Sequence, residues 1–335
     1  MKVAMWYNNR DIRIEDLPRP EPGPGEMLVK VEACGICGSD IVEWYRLPRA
    51  PLVQGHEVAG EVVAVSADVT RYSCGDRVAI APKMSCGECG YCRSGHHPQC
   101  TEVKERLPGG FAEYVLVPEI FVRKGTFRLP EDLSCEESTF MEPLACVVRA
   151  QRLAGITEGQ TVFIVGCGMS GLLHVKLAKQ RNATVVTSDV SAAKLRLAMT
   201  NGADAVIDAG KESGPDHFER AGKKADVIIL CTSSISAIEQ AWQCLDKGGT
   251  IVFYTVPAPE KGAPVPLNEL WTREVRILTS YYCGPDDLVE AQGLLAAGRI
   301  QVNDMITHRF PLAETGKGFS LVLAGQEAVK VIINP

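Results

Sequence analysis

Two periodicities divide the chain. In residues 1–145, short apolar runs alternate with polar positions at 27–31, 61–65, 77–80 and 112–117. Turn formers punctuate them: PRPEPGPGE at 18–26, CGD at 74–76 and LPGG at 107–110. Many short strands with such signals predict a compact, barrel-like β domain. Near residue 155 the texture changes. TVFIV at 161–165 reads as a buried strand, followed by the glycine-rich GCGMSG and a helical stretch over 172–179. Strand-like runs at 184–187, 205–207, 227–230, 250–253 and 274–278 alternate with helical segments such as 192–200. Strands separated by helices imply βαβ units and a parallel sheet, so the fold class is α/β with a second, β-rich domain. A helix over 286–297 and short strands ending at 329–333 follow; the pattern alone leaves open which domain they join.

Composition narrows the function classes. At 335 residues the chain exceeds a single core and should hold two domains. Hydrophobic content of 46% and charged content of 23% are those of a soluble globular protein. The net charge is −6 with no basic block, which argues against nucleic acid and anionic membranes as partners. No apolar stretch approaches a membrane span, and the N-terminal MKVAMWYNNRDIRIED lacks a signal-peptide pattern. Thirteen cysteines without an export signal point to the cytoplasm and to metal or buried-thiol roles.

Four of those cysteines carry the sharpest signal. Cys86, Cys89, Cys92 and Cys100 follow C-x2-C-x2-C-x7-C in CGECGYCRSGHHPQC. Four thiolates so close can surround one tetrahedral ion, as in structural zinc sites; a thiolate shell also admits an iron–sulfur cluster. His96 and His97 lie inside the segment, but with four cysteines available they read as solvated.

GCGMSG at 166–171 fits G-x-G-x-x-G between a strand and a helix. Gly166 would make the turn, Gly168 would admit a pyrophosphate, and Gly171 would let helix pack on strand. Met169 and Ser170 would open the helix, whose N-terminal N–H groups favour phosphate. Asp189 ends the next strand, where a carboxylate can hold ribose hydroxyls and repel a 2′-phosphate, which favours NAD over NADP. Lys194 lies within reach of a ribose edge, although a solvated helix lysine is an equal reading.

A second constellation lies upstream. Cys37 sits in CGICGSD, His56 and Glu57 in QGHEVAG, and Glu142 in MEPLAC. Cysteine, histidine and a carboxylate are competent zinc ligands, and three of them with an open position make a catalytic site. Taken singly, each residue has an ordinary alternative: a buried thiol, a core histidine, a helix-start carboxylate.

Together the motifs CGICGSD, GHEVAGEVV…GDRV, the four-cysteine lobe, GGFAEYV at 109–115, EPLAC at 142–146 and GCGMSG with Asp189 resemble the zinc-containing medium-chain dehydrogenases. These include alcohol, polyol and threonine dehydrogenases, and the resemblance spans essentially the whole chain. It implies a GroES-like β-barrel catalytic domain of residues 1–146 and 285–335, with the zinc lobe at 86–100. It also implies a Rossmann NAD-binding domain at 147–284. Two zinc ions per subunit are expected. One is structural, on Cys86, Cys89, Cys92 and Cys100. The other is catalytic, on Cys37, His56 and either Glu57 or Glu142. Ser39 would relay the alcohol proton toward the cofactor, and Asp40 would orient a ligand. The implied activity is zinc-assisted hydride transfer between a secondary alcohol and NAD, in a homodimer or homotetramer. A glutamate at 142 leans toward the polyol and threonine branch.

The chain departs from the family pattern in four places. Val42 stands where many relatives have a histidine that ends the proton path, so the proton must leave otherwise, through water or Glu43. Tyr282 stands where sorbitol-type enzymes place a substrate-contacting arginine. Ser66 replaces a glycine, and the stretch from Cys100 to Gly109 is short. The leading expectation is a polyol or cyclitol dehydrogenase. Its rivals are a threonine-type or other amino-alcohol dehydrogenase, a zinc- and nucleotide-binding module without turnover, and a zinc-free quinone-type reductase.

Overall fold

A computed structural model describes residues 1–103, 105–325 and 328–335. The chain divides into two compact units, Met1–Ala145 with Cys283–Pro335, and Cys146–Tyr282. In chain order the strands are β1 (Lys2–Asn8), β2 (Asp11–Asp16), β3 (Met27–Ile36), β4 (Leu52–Val53), β5 (Glu57–Val65), β6 (Arg77–Ile80), β7 (Tyr114–Val117) and β8 (Thr126–Arg128). The second unit holds β9 (Thr161–Val165), β10 (Thr184–Asp189), β11 (Ala205–Asp208), β12 (Ala225–Leu230), β13 (Leu245–Phe253) and β14 (Arg276–Thr279). The chain ends with β15 (Ile306–Pro311) and β16 (Lys330–Asn334).

In the first unit one sheet runs β15-β16-β3-β5-β6-β8, with β7 added against β3, and a smaller one runs β2-β1-β4. Strand β3 is the hub. It pairs antiparallel with β5 in a register that sets Gly35 opposite Glu57, and with β16 in one that sets Gly35 opposite Ile332. The C-terminal strands therefore join the first sheet, the question the hydrophobic pattern left open. Pairing is what the pattern could not convey, and it lengthens several elements. Strand β3 extends five residues past its alternating run, and β5 starts four residues before its own, at Glu57. Ala112 forms only an isolated bridge with Val3, so β7 begins at Tyr114.

The second unit is a six-stranded parallel sheet in the order β11-β10-β9-β12-β13-β14. All five residues of β9 are buried, as expected for a central parallel strand covered on both faces. Ser191, Ser213 and Ser234 cap three of its helices by accepting a hydrogen bond from a first-turn N–H. Phe163, Phe218, Ile238, Trp242 and Ile251 belong to its core. The last strand starts at Arg276, because Glu274 takes a positive φ of 52° and forms the turn that precedes it. Among the described residues no helix is long and apolar enough to cross a membrane.

Candidate metal and nucleotide sites

Sheet register builds the mixed-ligand group. Cys37 follows the last residue of β3, while His56 precedes β5 and Glu57 opens it. Because Gly35 faces Glu57 across the ladder, one ligand atom from each of Cys37, His56 and Glu57 comes within 4.8 Å of the others. Gly55 takes φ 94°, a conformation that favours glycine, and its carbonyl accepts a 2.8 Å bond from Gly110 N. Phe111 N donates to Gln54 O at 2.9 Å, so the GGF segment clamps the turn that carries His56.

Charged partners hold each ligand. Asp40 is fully buried; its Oδ1 lies 3.1 Å from His56 Nδ1 and 3.0 Å from Arg46 Nη2, and its Oδ2 accepts from Cys37 N at 3.1 Å. Burial pushes the Asp40 carboxyl up, but His56 and Arg46 outweigh it and hold it below the usual carboxylate range. Burial likewise pushes His56 down, yet Asp40 and the Cys37 thiolate raise it well above its ordinary value. A hydrogen bond at Nδ1 fixes the ring and leaves Nε2 for a ligand role. Arg46 also donates to Ser39 Oγ at 2.9 Å and, through Nε, to Ser39 O at 3.0 Å.

Glu57 is anchored from the opposite side. Its Oε2 pairs with the ammonium of Lys330, both side chains being fully buried, and Lys330 Nζ lies 5.1 Å from the Phe140 ring centroid. The pair meets across β3 because residue 35 is glycine: a Cβ there would lie 2.6 Å from Lys330 Nζ. The other oxygen, Glu57 Oε1, is buried and has no hydrogen-bond partner among the described residues. Such an oxygen is costly unless a cation or donor completes it. A thiolate, an imidazole and this free oxygen fit a zinc ion. Glu142 is buried in the first turn of helix Met141–Ala154 and is not among the three gathered ligands.

The cysteine lobe is built locally. One sulfur from each of Cys86, Cys89, Cys92 and Cys100 lies within 4.8 Å of the others, and all four are free thiols. Backbone N–H groups aim at the sulfurs: Cys89 N to Cys86 Sγ at 3.2 Å, Glu88 N to Cys86 Sγ at 3.3 Å and Cys86 N to Cys100 Sγ at 3.3 Å. Burial opposes ionisation of Cys100, but N–H donors from Cys86, Val103 and Glu102 bring it down to about 6. Burial drives Cys92 up to about 12. A four-thiolate shell with N–H support fits a closed structural zinc site. His97 is engaged beside it, its Nδ1 3.1 Å from Ser85 Oγ, rather than freely solvated.

In the second unit, Gly166 takes φ 102° and its N–H donates to Ser188 O at 2.8 Å. A Cβ on Gly171 would collide with Gly166 O, whereas one on Gly168 would meet nothing within 4 Å. Gly168 is the N-cap of helix Met169–Gln180 and offers no side chain to its first-turn N–H groups. Open space before uncapped N–H groups fits a pyrophosphate. Asp189 accepts from Cys167 N and Ser191 N, both at 2.8 Å, which fixes its carboxylate at the end of β10. Lys194 lies on helix Ala192–Thr200, its N–H donating to Ser191 Oγ at 3.4 Å.

Sequence reasoning missed Arg46 and Lys330. Lys330 left a faint signal, a lone charge inside the apolar run VKVII; Arg46 left none. Ser66 is accommodated without positive φ, its hydroxyl bonding Glu26 O and Asp68. Glu43, considered as a proton exit, accepts from Asn9 N at 2.9 Å.

Comparison with known proteins gives the family. Residues 23–130 match the family model for the alcohol dehydrogenase GroES-like domain, and residues 171–297 that for zinc-binding dehydrogenase. Sorbitol dehydrogenase of Gallus gallus is 32% identical over 96% of this chain and 93% of its own. A zinc-binding dehydrogenase from Sinorhizobium meliloti, solved bound to NADP, superposes with a TM-score of 0.90 at 34% identity, covering 100% of this chain and 99% of that one. An alcohol dehydrogenase from E. coli CFT073, solved with NADH, gives 0.89 at 28% identity, with 100% and 99% coverage. The chain belongs to the zinc-containing alcohol dehydrogenase family and is an oxidoreductase.

Proposed function

We propose that this chain oxidises a secondary alcohol of a polyol-like compound to a ketone with NAD, in a zinc-dependent reaction, and catalyses the reverse reduction. The observation that carries the reading is the convergence of Cys37, His56 and Glu57, with Glu57 Oε1 unbonded among the described residues. Zinc held there would supply Lewis acidity, and the nicotinamide would take the hydride. Glu57 is our choice of carboxylate ligand, with Glu142 as its alternate. Cys86, Cys89, Cys92 and Cys100 would hold the structural ion.

The chain's own groups do the positioning. Asp40 holds His56 by Nδ1. Lys330 holds Glu57 by Oε2, so that Oε1 is presented. Ser39 accepts a hydrogen bond from Arg46 and keeps its own hydroxyl proton and a lone pair for the substrate proton. Arg46 does not give up a proton, so it orients Ser39 rather than continuing a relay. With Val42 also inert, the proton leaves through water. In the second unit the Gly166–Gly171 loop would take the pyrophosphate and Asp189 the ribose hydroxyls. The fixed carboxylate supports NAD over NADP by charge repulsion, although the S. meliloti relative was solved with NADP.

We also infer a homo-oligomer. Strand β14 is hydrogen-bonded on one side only among the described strands. Around it Leu267, Ile277 and Tyr281 are exposed, and Trp271 is 82% exposed. An apolar open edge invites pairing, and the same edge of a second copy about a two-fold axis is the simplest occupant. Free thiols throughout support a reducing, cytoplasmic setting.

The test is NADH formation by absorbance with zinc-replete protein and a panel of polyols, cyclitols, diols and L-threonine, each repeated after chelation and with NADP. Chelator-sensitive turnover of polyhydroxylated substrates is expected. Activity on threonine alone would replace the polyol reading, and chelator-insensitive turnover would remove zinc from it.

A further inference from the structure

We propose that Arg46 reads the carbon next to the one oxidised: its Nη1 amino group donates to a hydroxyl there, so the substrate is a vicinal diol and not a vicinal amino alcohol. The inference rests on the reading above that the reacting alcohol meets Ser39 beside the Cys37–His56–Glu57 group. It goes further by naming what stands beside the reacting carbon.

A guanidinium carries five N–H donors in a rigid, planar fork. Arg46 commits three of them. Nε donates to Ser39 O at 3.0 Å, and Nη2 donates to Ser39 Oγ at 2.9 Å and to Asp40 Oδ1 at 3.0 Å. The other two sit on Nη1, which has no hydrogen-bond partner among the described residues. Nη1 is not sealed from solvent either, since the buried polar atoms that lack a partner do not include it. The nearest carboxylates are engaged elsewhere: Asp40 Oδ2 accepts from Cys37 N, and Glu43 accepts from Asn9 N.

The fork is held still. Its side chain is 13% exposed, it is bonded twice to Ser39 and once to the fully buried Asp40, and its carbon lies 5.1 Å from the Tyr45 ring centroid. A donor fixed in advance loses little freedom when a ligand accepts from it. Nη1 and Nη2 share one carbon, and Nη2 is already on Ser39 Oγ. A carbinol oxygen on Ser39 Oγ is thus one guanidinium away from Nη1, a span suited to two neighbouring carbons that each bear an oxygen.

Charge decides which neighbour fits. The Asp40 carboxylate, 3.0 Å from Nη2, offsets the guanidinium charge, so Nη1 suits a neutral acceptor such as a hydroxyl. An ammonium on the neighbouring carbon has no lone pair to offer Nη1 and adds a like charge beside it. This separates the polyol reading from its threonine-type rival, whose substrate carries an ammonium at that position.

Three matched probes test this on zinc-loaded protein with NAD: propane-1,2-diol, propan-2-ol and 1-aminopropan-2-ol, with Arg46→Lys alongside. All three present the same secondary carbinol and differ only at the next carbon. In the wild type, kcat/KM for the diol should exceed that for propan-2-ol by roughly tenfold or more, and the amino alcohol should fall below both. Arg46→Lys keeps a cation for Asp40 but has no second amino group. It should bring the diol-to-propan-2-ol ratio close to one, with zinc content and melting temperature confirming a folded protein. A purely positioning role for Arg46 would lower all three substrates by a common factor; unchanged ratios in the variant overturn the proposal. If the variant does not fold, the wild-type ratios decide alone: a diol no better than propan-2-ol, or an amino alcohol as good as the diol, overturns it. If no probe turns over, calorimetric titration of the zinc-loaded protein with the same compounds takes the place of kinetics. Tighter binding of the diol, lost in Arg46→Lys, supports the Arg46 contact while the oxidation reading fails; no difference among the three overturns the contact.

Discussion

The two candidate metal groups of the first unit differ in how they are assembled. The cysteine lobe draws four identical ligands from fifteen consecutive residues, 86–100, and supports them with backbone N–H groups. The Cys37–His56–Glu57 group takes unlike ligands from the ends of two strands, and ionised side chains from residues 40, 46 and 330 hold them. A closed shell of thiolates has one task, to bind an ion and tie loops together. A mixed, incomplete shell leaves room for a substrate, and its orientation then depends on partners outside the ligand set. Local spacing suffices for the first, whereas the second needs the whole sheet.

The contrast is broken most directly by exchanging one cysteine in each group. Cys89→Ser should cost the lobe its ion and, on the scale of small zinc domains, up to about 10 kcal/mol of folding free energy. Zinc content and thermal melting would register this as one ion lost together with lowered stability. Cys37→Ser should also lose one ion, yet keep its melting temperature while turnover falls by roughly a thousandfold or more. Matching losses of stability in both variants would erase the distinction between the groups.

Lys330→Met probes the support of the mixed group. It strands a buried Glu57 carboxylate and should destabilise the fold by about 3–5 kcal/mol in denaturant unfolding. Adding Glu57→Gln should recover much of that, because the uncompensated charge is then gone. A Lys330→Met protein as stable as the parent would mean that the pair is not buried as described. Asp40→Asn sharpens the same point with a smaller effect. It should weaken zinc at the mixed group by about 10–100-fold and leave the lobe ion untouched, as read by competition with a chelator.

A metal-independent reference lies in the second unit and shows no effect at neutral pH. His174 is fully buried, its Nδ1 lies 3.2 Å from Gln151 Nε2, and burial lowers it to about 3. The unfolded imidazole takes its proton near 6.5, so between 6.5 and about 3 the unfolded state binds more protons. Stability from this group is therefore complete above 6.5 and falls with acid, by about 1.4 kcal/mol per pH unit in that window. His174→Gln should flatten the acid limb of stability by one proton. An unchanged slope would attribute acid lability to the metal groups instead.

Much of the architecture was legible before the structure. TVFIV followed by GCGMSG is a continuous apolar run that breaks at a glycine-rich turn into a helical stretch, and β9, its turn and its helix form there. The four-cysteine spacing is likewise local, and its sulfurs do converge. Strand ends were less legible. The burial alternation that marks a strand fades where β3 and β5 run into the mixed group, because there both faces are covered. Cys37, His56 and Glu57 were named as ligands by resemblance, but their meeting is a consequence of the Gly35–Glu57 register.

Sequence alone determined the elements whose cause is local: the buried parallel strands, the glycine turn before an uncapped helix, the N-capping serines and the cysteine lobe. Each is fixed by neighbours within a turn or a short loop. Tertiary structure alone decided that Lys330 reaches Glu57, that Arg46 spans Ser39 and Asp40, and that Lys83 faces Arg106. These are charges meeting across strands or loops, in one case 273 residues apart. Long-range register and burial set such meetings, and neither is written in the spacing of residues along the chain.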